Sequence, residues 1–325
     1  MTKKLLIWFG IVSIECCCII GLGYIRYKKT QENKPKKIYV LPVAKDTLQF
    51  PQDTNLKFYS EPKENIQKEE DLSYVGITQT VTHTFNADGL NERFDYPTEK
   101  AKGVFRIVSL GDSFTEGAWV DTKDNYSELL EDILNTTVHC PSISRFEVIN
   151  LGVEGYDMQY NLERFKRKGE KYHPDLVILW THENDFMEGN EHLGALSSTF
   201  NPATQAAELV EVFRKKGDYY PELTVLINRF HEAFSRQTLL DEEIEYLKEL
   251  IENAVSPVLI FTLTRTPSDI QIPIRSVLRP QDRFYPEISD SYGAFSDQHP
   301  SVVGHTQFAE FLFQKIREKH LSGCR

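Results

Sequence analysis

Val104-Phe105-Arg106-Ile107-Val108-Ser109-Leu110-Gly111-Asp112-Ser113-Phe114-Thr115 is the stretch on which the reading of this chain turns. An apolar run of strand length ends in a glycine, an acid and a serine. A serine at the carboxyl end of a buried strand, at the turn into a helix, is where an open α/β sheet presents a nucleophile. The N–H groups of the following helix end point to the same place, so a developing oxyanion would meet donors there. Gly-Asp-Ser alone occurs by chance in many turns. Three landmarks downstream, in order, give it weight.

Val148-Ile149-Asn150-Leu151-Gly152-Val153-Glu154-Gly155-Tyr156 is an apolar strand running into a glycine-rich turn. Asp175-Leu176-Val177-Ile178-Leu179-Trp180-Thr181 is a second buried-strand pattern, closed by His182-Glu183-Asn184-Asp185. Ser296-Asp297-Gln298-His299-Pro300 leads into a helix near the C-terminus. In this order the four segments resemble the GDSL/SGNH hydrolase family, whose landmark residues are serine, glycine, asparagine and histidine. The resemblance runs from about Val104 to about Lys319. It implies an α/β three-layer sandwich: a mainly parallel, flavodoxin-like sheet flanked by helices. The residues alone point the same way, because buried strands alternating with amphipathic helices predict a parallel sheet covered on both faces.

The resemblance also assigns roles. Ser113 is the expected nucleophile, and a hydroxyl is weak until a base removes its proton. His299, just before the last helix, is the expected base among nine histidines. Asp297 is the expected orienting acid. The family's commoner spacing leaves two residues between acid and histidine; here only Gln298 intervenes, and Ser296 stands at the usual acid position. Some members work as Ser–His dyads. The oxyanion donors are expected to be the backbone N–H of Ser113, the backbone N–H of Gly155 and the side-chain amide of Asn184. Gly155 reads as small because a carbonyl oxygen approaches the backbone there, and Gly152 as a tight strand-to-helix turn. His182 occupies a position where the family usually has glycine, so it either crowds the pocket or adds a polar contact. Asp112 reads as a brace for the nucleophile loop, Asp185 as a helix cap, and His305 as packing.

Composition narrows the remaining classes. The chain has 325 residues, 40% hydrophobic and 26% charged, as a globular protein does. Residues 1–40 hold eight Lys/Arg and two Glu, a surplus of +6, which leaves −17 of the total −11 on the rest. An acidic body repels phosphate backbones and excludes nucleic acid as the expected partner. Gly-x-Ser-x-Gly, phosphate-loop and dinucleotide-binding signatures are absent, as are zinc-type cysteine pairs, so no cofactor or metal is expected. Cys140 and Cys324 are either a disulfide or two separate thiols.

Leu5 to Ile25 is almost wholly apolar, between Lys3-Lys4 and Arg26, Lys28 and Lys29. About twenty such residues span a hydrocarbon core, so residues 1–27 are expected to be a transmembrane anchor or uncleaved signal. The basic residues after the span outnumber those before it, which by the positive-inside rule would leave the following domain in the cytoplasm. An esterase tethered to act on polymers faces outward instead, and the outer side is the expectation. Residues 28–74 read as a flexible tether, 75–102 as a short β-ribbon extension, and 103–320 as the catalytic domain with a helical insertion at about 186–236. Thr264 to Phe295 reads as loop-rich. The expected activity is hydrolysis of acyl, chiefly acetyl, esters on an acylated small molecule or polysaccharide. An O-acyltransferase using the same site and a non-catalytic glycan-binding scaffold are the alternatives.

Overall fold

In the computed structural model the described residues are 47–49, 55–216, 221–295, 298–320 and 322–323. The expected anchor at 1–27 lies outside them, as does the tether's first part. No described helix is long and apolar enough to cross a membrane. Two antiparallel ribbons come first: β1 (Thr47–Gln49) with β2 (Ser60–Pro62), and β3 (Ile66–Asp71) with β4 (Thr80–Phe85). The main sheet follows with β5 (Val104–Leu110), β6 (Arg145–Asn150), β7 (Leu176–Trp180), β8 (Val258–Leu263) and β9 (Arg283–Ile288). All five are parallel, in the order β6-β5-β7-β8-β9. The connections run to opposite sides of β5, so a crevice opens at the carboxyl ends of β5 and β7.

The helices are α1 (Ser113–Glu116), α2 (Tyr126–Thr137), α3 (Met158–Arg164), α4 (Asn190–Thr199), α5 (Pro202–Gln205), α6 (Ala207–Lys215), α7 (Pro221–Ala233), α8 (Arg236–Asn253), α9 (Ser268–Val277) and α10 (Val302–Glu318). Successive strand residues point to opposite faces of a sheet. Val108, Leu110, Ile149, Val177, Leu179 and Ile260 accordingly pack with Leu162, Leu247, Ile251 and Ile270 of α3, α8 and α9. Ile107, Val148, Ile178, Trp180 and Phe261 pack on the other face with Leu130, Phe308 and Leu312 of α2 and α10. Burial on both faces explains why these strands read as unbroken apolar runs. Each fully buried side chain of this kind contributes roughly 1.5–3 kcal/mol.

Three readings of the sequence need correction. Residues 55–71 are structured, although their composition reads as tether. β3 supplies the ladder partner of β4, and Leu56 and Tyr59 are buried with Val153, Tyr156 and Tyr160. The signal was weak because β3 leaves its polar residues exposed or half-buried and is held by its backbone. Secondly, the β-ribbon expected to begin at residue 75 has its second strand begin only at Thr80. Leu72–Val75 is a single 3₁₀ turn, and Gly76, at φ +81°, ends it. Lastly, the loop-rich stretch holds α9 and β9. Pro286 interrupts the strand pattern of β9, which is tolerated because β9 is an edge strand.

Candidate active site

The carboxyl edge of the sheet gathers Ser113, Gly155, Asn184 and His299 of the expected site residues. Asp112 caps α1: its Oδ1 accepts the N–H of Phe114 at 2.9 Å. This cap starts the helix one residue after the strand loop and leaves Ser113 at its first turn. Gly111 adopts φ +148°, and a Cβ there would lie 2.2 Å from Thr115 Oγ1, so the tight turn requires glycine. Ser113 Oγ and His299 Nε2 are 2.9 Å apart, the spacing a hydroxyl needs to pass its proton to a base.

His299 reaches the serine from the turn before α10. Phe295 N–H donates to His299 O at 2.8 Å, and Gln298 N–H donates to Phe295 O at 3.1 Å. Tyr292 OH donates to Gln298 O at 2.5 Å, and Gln298 itself sits at φ +75°. A non-glycine residue in that region is held there by its surroundings. The imidazole packs on Trp119 and Phe114, with ring centroids 4.4 and 5.3 Å away. Asp297 and Ser296 lie outside the described residues.

Gly155 and Asn184 line the same cavity as Ser113 and His299, a space of about 490 Å³. The two glycines of the β6 turn differ from expectation. A Cβ on Gly152 would lie 2.4 Å from Glu116 N and 2.6 Å from Thr115 Cβ, so the closest backbone approach is there, against α1. Gly155 has open space around its missing Cβ and is required for its φ of +75°. Asn190 Nδ2 donates to Gly155 O at 2.8 Å, and Asn190 N–H donates to Asp157 Oδ2 at 2.7 Å. These bonds tie the Gly155 turn to the start of α4.

His182 adds polar contacts where the family usually has glycine. Its Nε2 lies 2.7 Å from Asp112 Oδ2, and its Nδ1 accepts the N–H of Asn184 at 3.0 Å. Desolvation opposes a charged ring here, while the carboxylates of Asp185 and Asp112 raise its pKa. Against that rise stands the Asn184 N–H aimed at Nδ1, which a cationic ring would meet with a second N–H. The geometry is that of the neutral ring, protonated on Nε2 and donating to Asp112.

Glu188 lines the cavity, and Asp185 lies beside His182. Burial, then the charge of Asp185, pushes Glu188 up to about 8. Burial likewise raises Asp185 to about 7, against the downward pull of His182. Asp185 caps its own loop by accepting the N–H of His182 at 2.9 Å. His305 is a packing residue: its Nδ1 accepts the N–H of Tyr126 at 3.2 Å, and burial, with His299 adding, pushes it down to about 3. Of the two outcomes expected for His182, the polar contact is the one formed, and its partners Asp112 and Asn184 are what the sequence did not name.

Residues 109–307 match the GDSL-like lipase/acylhydrolase family, more than half of the chain. The chain belongs to this family. It is an SGNH-type esterase, and the match spans the Ser113, Gly155, Asn184 and His299 segments. No curated protein matches the chain in sequence. Among solved structures, TesA is similar at 14% identity and a TM-score of 0.42, covering 66% of this chain and 99% of its own. The psychrotrophic esterase EstA from Pseudoalteromonas sp. has 14% identity and a TM-score of 0.42, over 66% of this chain and 97% of that one. A catalytic mutant of Axe2, an acetylxylan esterase from Geobacillus stearothermophilus, has 16% identity and a TM-score of 0.40, over 68% and 96% of the two chains.

Proposed function

We propose that this chain is a serine hydrolase that removes small acyl groups, acetyl foremost, from hydroxylated substrates such as cell-surface carbohydrate. The 2.9 Å pairing of Ser113 Oγ with His299 Nε2 at the cavity carries the reading. His299 takes the Ser113 proton as Oγ attacks the ester carbonyl. The oxyanion is received by the N–H groups of Ser113 and Gly155 and the amide of Asn184, and each such donor is worth roughly 3–4 kcal/mol. The leaving alcohol takes the proton from His299, and water then releases the acid by the same steps reversed. Asp297 holds the imidazole in the receiving tautomer. The cavity lining supports a hydroxyl-rich substrate, because Glu183, Glu188, Arg265 and Gln298 offer both donors and acceptors. Cys140 is disulfide-bonded, which supports a catalytic domain outside the cytoplasm, held by the apolar stretch at 5–25.

The test is labelling of the chain with a fluorophosphonate probe, mapping of the adduct, and assay of acetate release from an acetylated oligosaccharide. An adduct on Ser113 that disappears in His299→Ala, together with acetate release, supports the proposal. A folded chain that binds the oligosaccharide but takes no probe sinks it. Product in which the acyl group has moved to an added sugar would make the chain an acyltransferase.

A further inference from the structure

The acyl-transfer reading uses Ser113, His299, Gly155 and Asn184 and leaves His182 unexplained. Its side chain is 18% exposed, lines the cavity, and lies between two parts of the site that come from different strands. On one side is Asp112, the cap of the helix that carries the nucleophile, contacted at 2.7 Å. On the other is the main chain of Asn184, whose N–H donates to Nδ1 at 3.0 Å. The turn that follows is closed by Met187 and Glu188, whose N–H groups donate to Asn184 O at 2.7 and 2.9 Å. Asn184 is thus held at its N–H by an imidazole and at its carbonyl by its own turn.

The bond at Nδ1 decides what the cluster can be. Asp112, His182 and Asp185 bring ligand atoms within 4.8 Å of one another, as a cation site would. An imidazole that accepts an amide N–H at Nδ1 carries its proton on Nε2 and aims it at Asp112. A cation on Nε2 would force that proton onto Nδ1, against the Asn184 N–H. The arrangement is a hydrogen-bonded clamp.

We propose that His182 is a positioning residue that locks the Asn184 turn to the nucleophile turn, so that the Asn184 amide meets the oxyanion formed at Ser113. The inference rests on the esterase reading above. Preorganised donors stabilise the transition state because they need not reorganise as charge develops. His182 therefore acts through Asn184 and shows itself in kcat more than in KM.

Two near-isosteric variants separate the two bonds. In His182→Asn the side-chain oxygen takes the place of Nδ1 and can still accept from Asn184. In His182→Gln the amide nitrogen takes the place of Nε2 and can still donate to Asp112. The full chain and its His182→Ala, His182→Asn and His182→Gln variants are assayed on a short-chain p-nitrophenyl ester, with Tm measured alongside. Losing an oxyanion donor outright costs roughly 10²–10³ in kcat, so mispositioning one in His182→Ala is expected to cost about 10- to 100-fold, with KM moved less than about threefold. His182→Asn is expected to recover more of kcat than His182→Gln. A His182→Ala kcat within about twofold of the parent overturns the inference, as does a loss confined to KM. If His182→Ala does not fold, a His182→Asn kcat no better than that of His182→Gln overturns it. A parent chain that neither hydrolyses the ester nor labels at Ser113 overturns the esterase reading, and the clamp falls with it.

Discussion

Glu116 Oε2 accepts the backbone N–H of Glu154 at 2.5 Å, one residue before Gly155. The short helix that carries Ser113, the proposed nucleophile, therefore also holds the turn that carries Gly155, a proposed oxyanion donor. Asn150 joins the same junction, with Nδ2 donating to Thr115 O at 2.8 Å and Oδ1 accepting the N–H of Gly152 at 2.9 Å. Ser113 and Gly155 come from separate β–α turns, yet they are fixed to each other through main-chain bonds made by buried side chains.

Burial, with the Glu154 charge adding, pushes Glu116 up to about 8 from an ordinary 4.5. The folded state binds this proton more tightly than the unfolded chain does. Its contribution is fully present below pH 4.5 and is lost as pH rises through about 8. Glu116→Gln keeps an acceptor for the Glu154 N–H and removes the titration. The expected result is a Tm like that of the parent near pH 4.5 and higher by roughly 5 °C at pH 8.5. Thermal melts across that range check it; parallel curves for the two proteins would refute the assignment.

Ser113→Ala removes one hydroxyl, whose bond to His299 is the contact described for it. Turnover of a short-chain ester is expected to fall by at least roughly 10³-fold. Tm is expected to stay within about 2 °C, since single hydrogen bonds contribute on the order of 1 kcal/mol net. A variant that keeps a tenth of the parent's activity would place the nucleophile elsewhere.

The sheet was legible because its strands are buried on both faces, so Val148-Ile149 or Val177-Ile178-Leu179 announce themselves by composition. The Ser113, Gly155, Asn184 and His299 segments were legible because each follows such a strand or precedes an apolar helix. What escaped was structure made of polar residues. β3 shows no apolar pattern, β9 carries Pro286, and residues 55–59 contribute just Leu56 and Tyr59 to a small cluster with partners about 100 residues away. The contacts of Glu116 and His182 escaped for the same reason: a buried polar side chain is identified by its partner, and partners distant in sequence leave no local pattern.

Glu61 makes that point measurable. It is 2% exposed and forms an ion pair with the fully buried Arg164 at 2.9 Å. Removing one member of such a pair strands the other charge in the interior, at a cost of about 3–5 kcal/mol. Glu61→Ala is therefore expected to lower the stability of the whole catalytic body by about that amount in chemical denaturation. An effect below 1 kcal/mol would mean that residues 55–71 pack loosely and contribute little, as their composition suggests.

Gly152 and Gly155 should respond differently to the same substitution. In Gly152→Ala the new methyl would lie 2.4 Å from Glu116 N and 2.7 Å from Thr115 C, both main-chain atoms of α1 that cannot swing aside. Either β6 or the nucleophile helix must shift, so overpacking of roughly 1–3 kcal/mol or more is expected, with loss of activity in step. In Gly155→Ala the methyl meets no atom within 4 Å, and the cost is that of a left-handed φ of +75°, about 1–2 kcal/mol. That cost falls on the turn carrying the N–H proposed as an oxyanion donor, which can relax by rotating it away from Ser113. Gly155→Ala is thus expected to melt near the parent and to lose kcat on the order of 10-fold or more, whereas Gly152→Ala loses both together. Paired measurement of Tm and kcat decides between them. A Gly155→Ala variant with the parent's kcat would remove Gly155 from the oxyanion site.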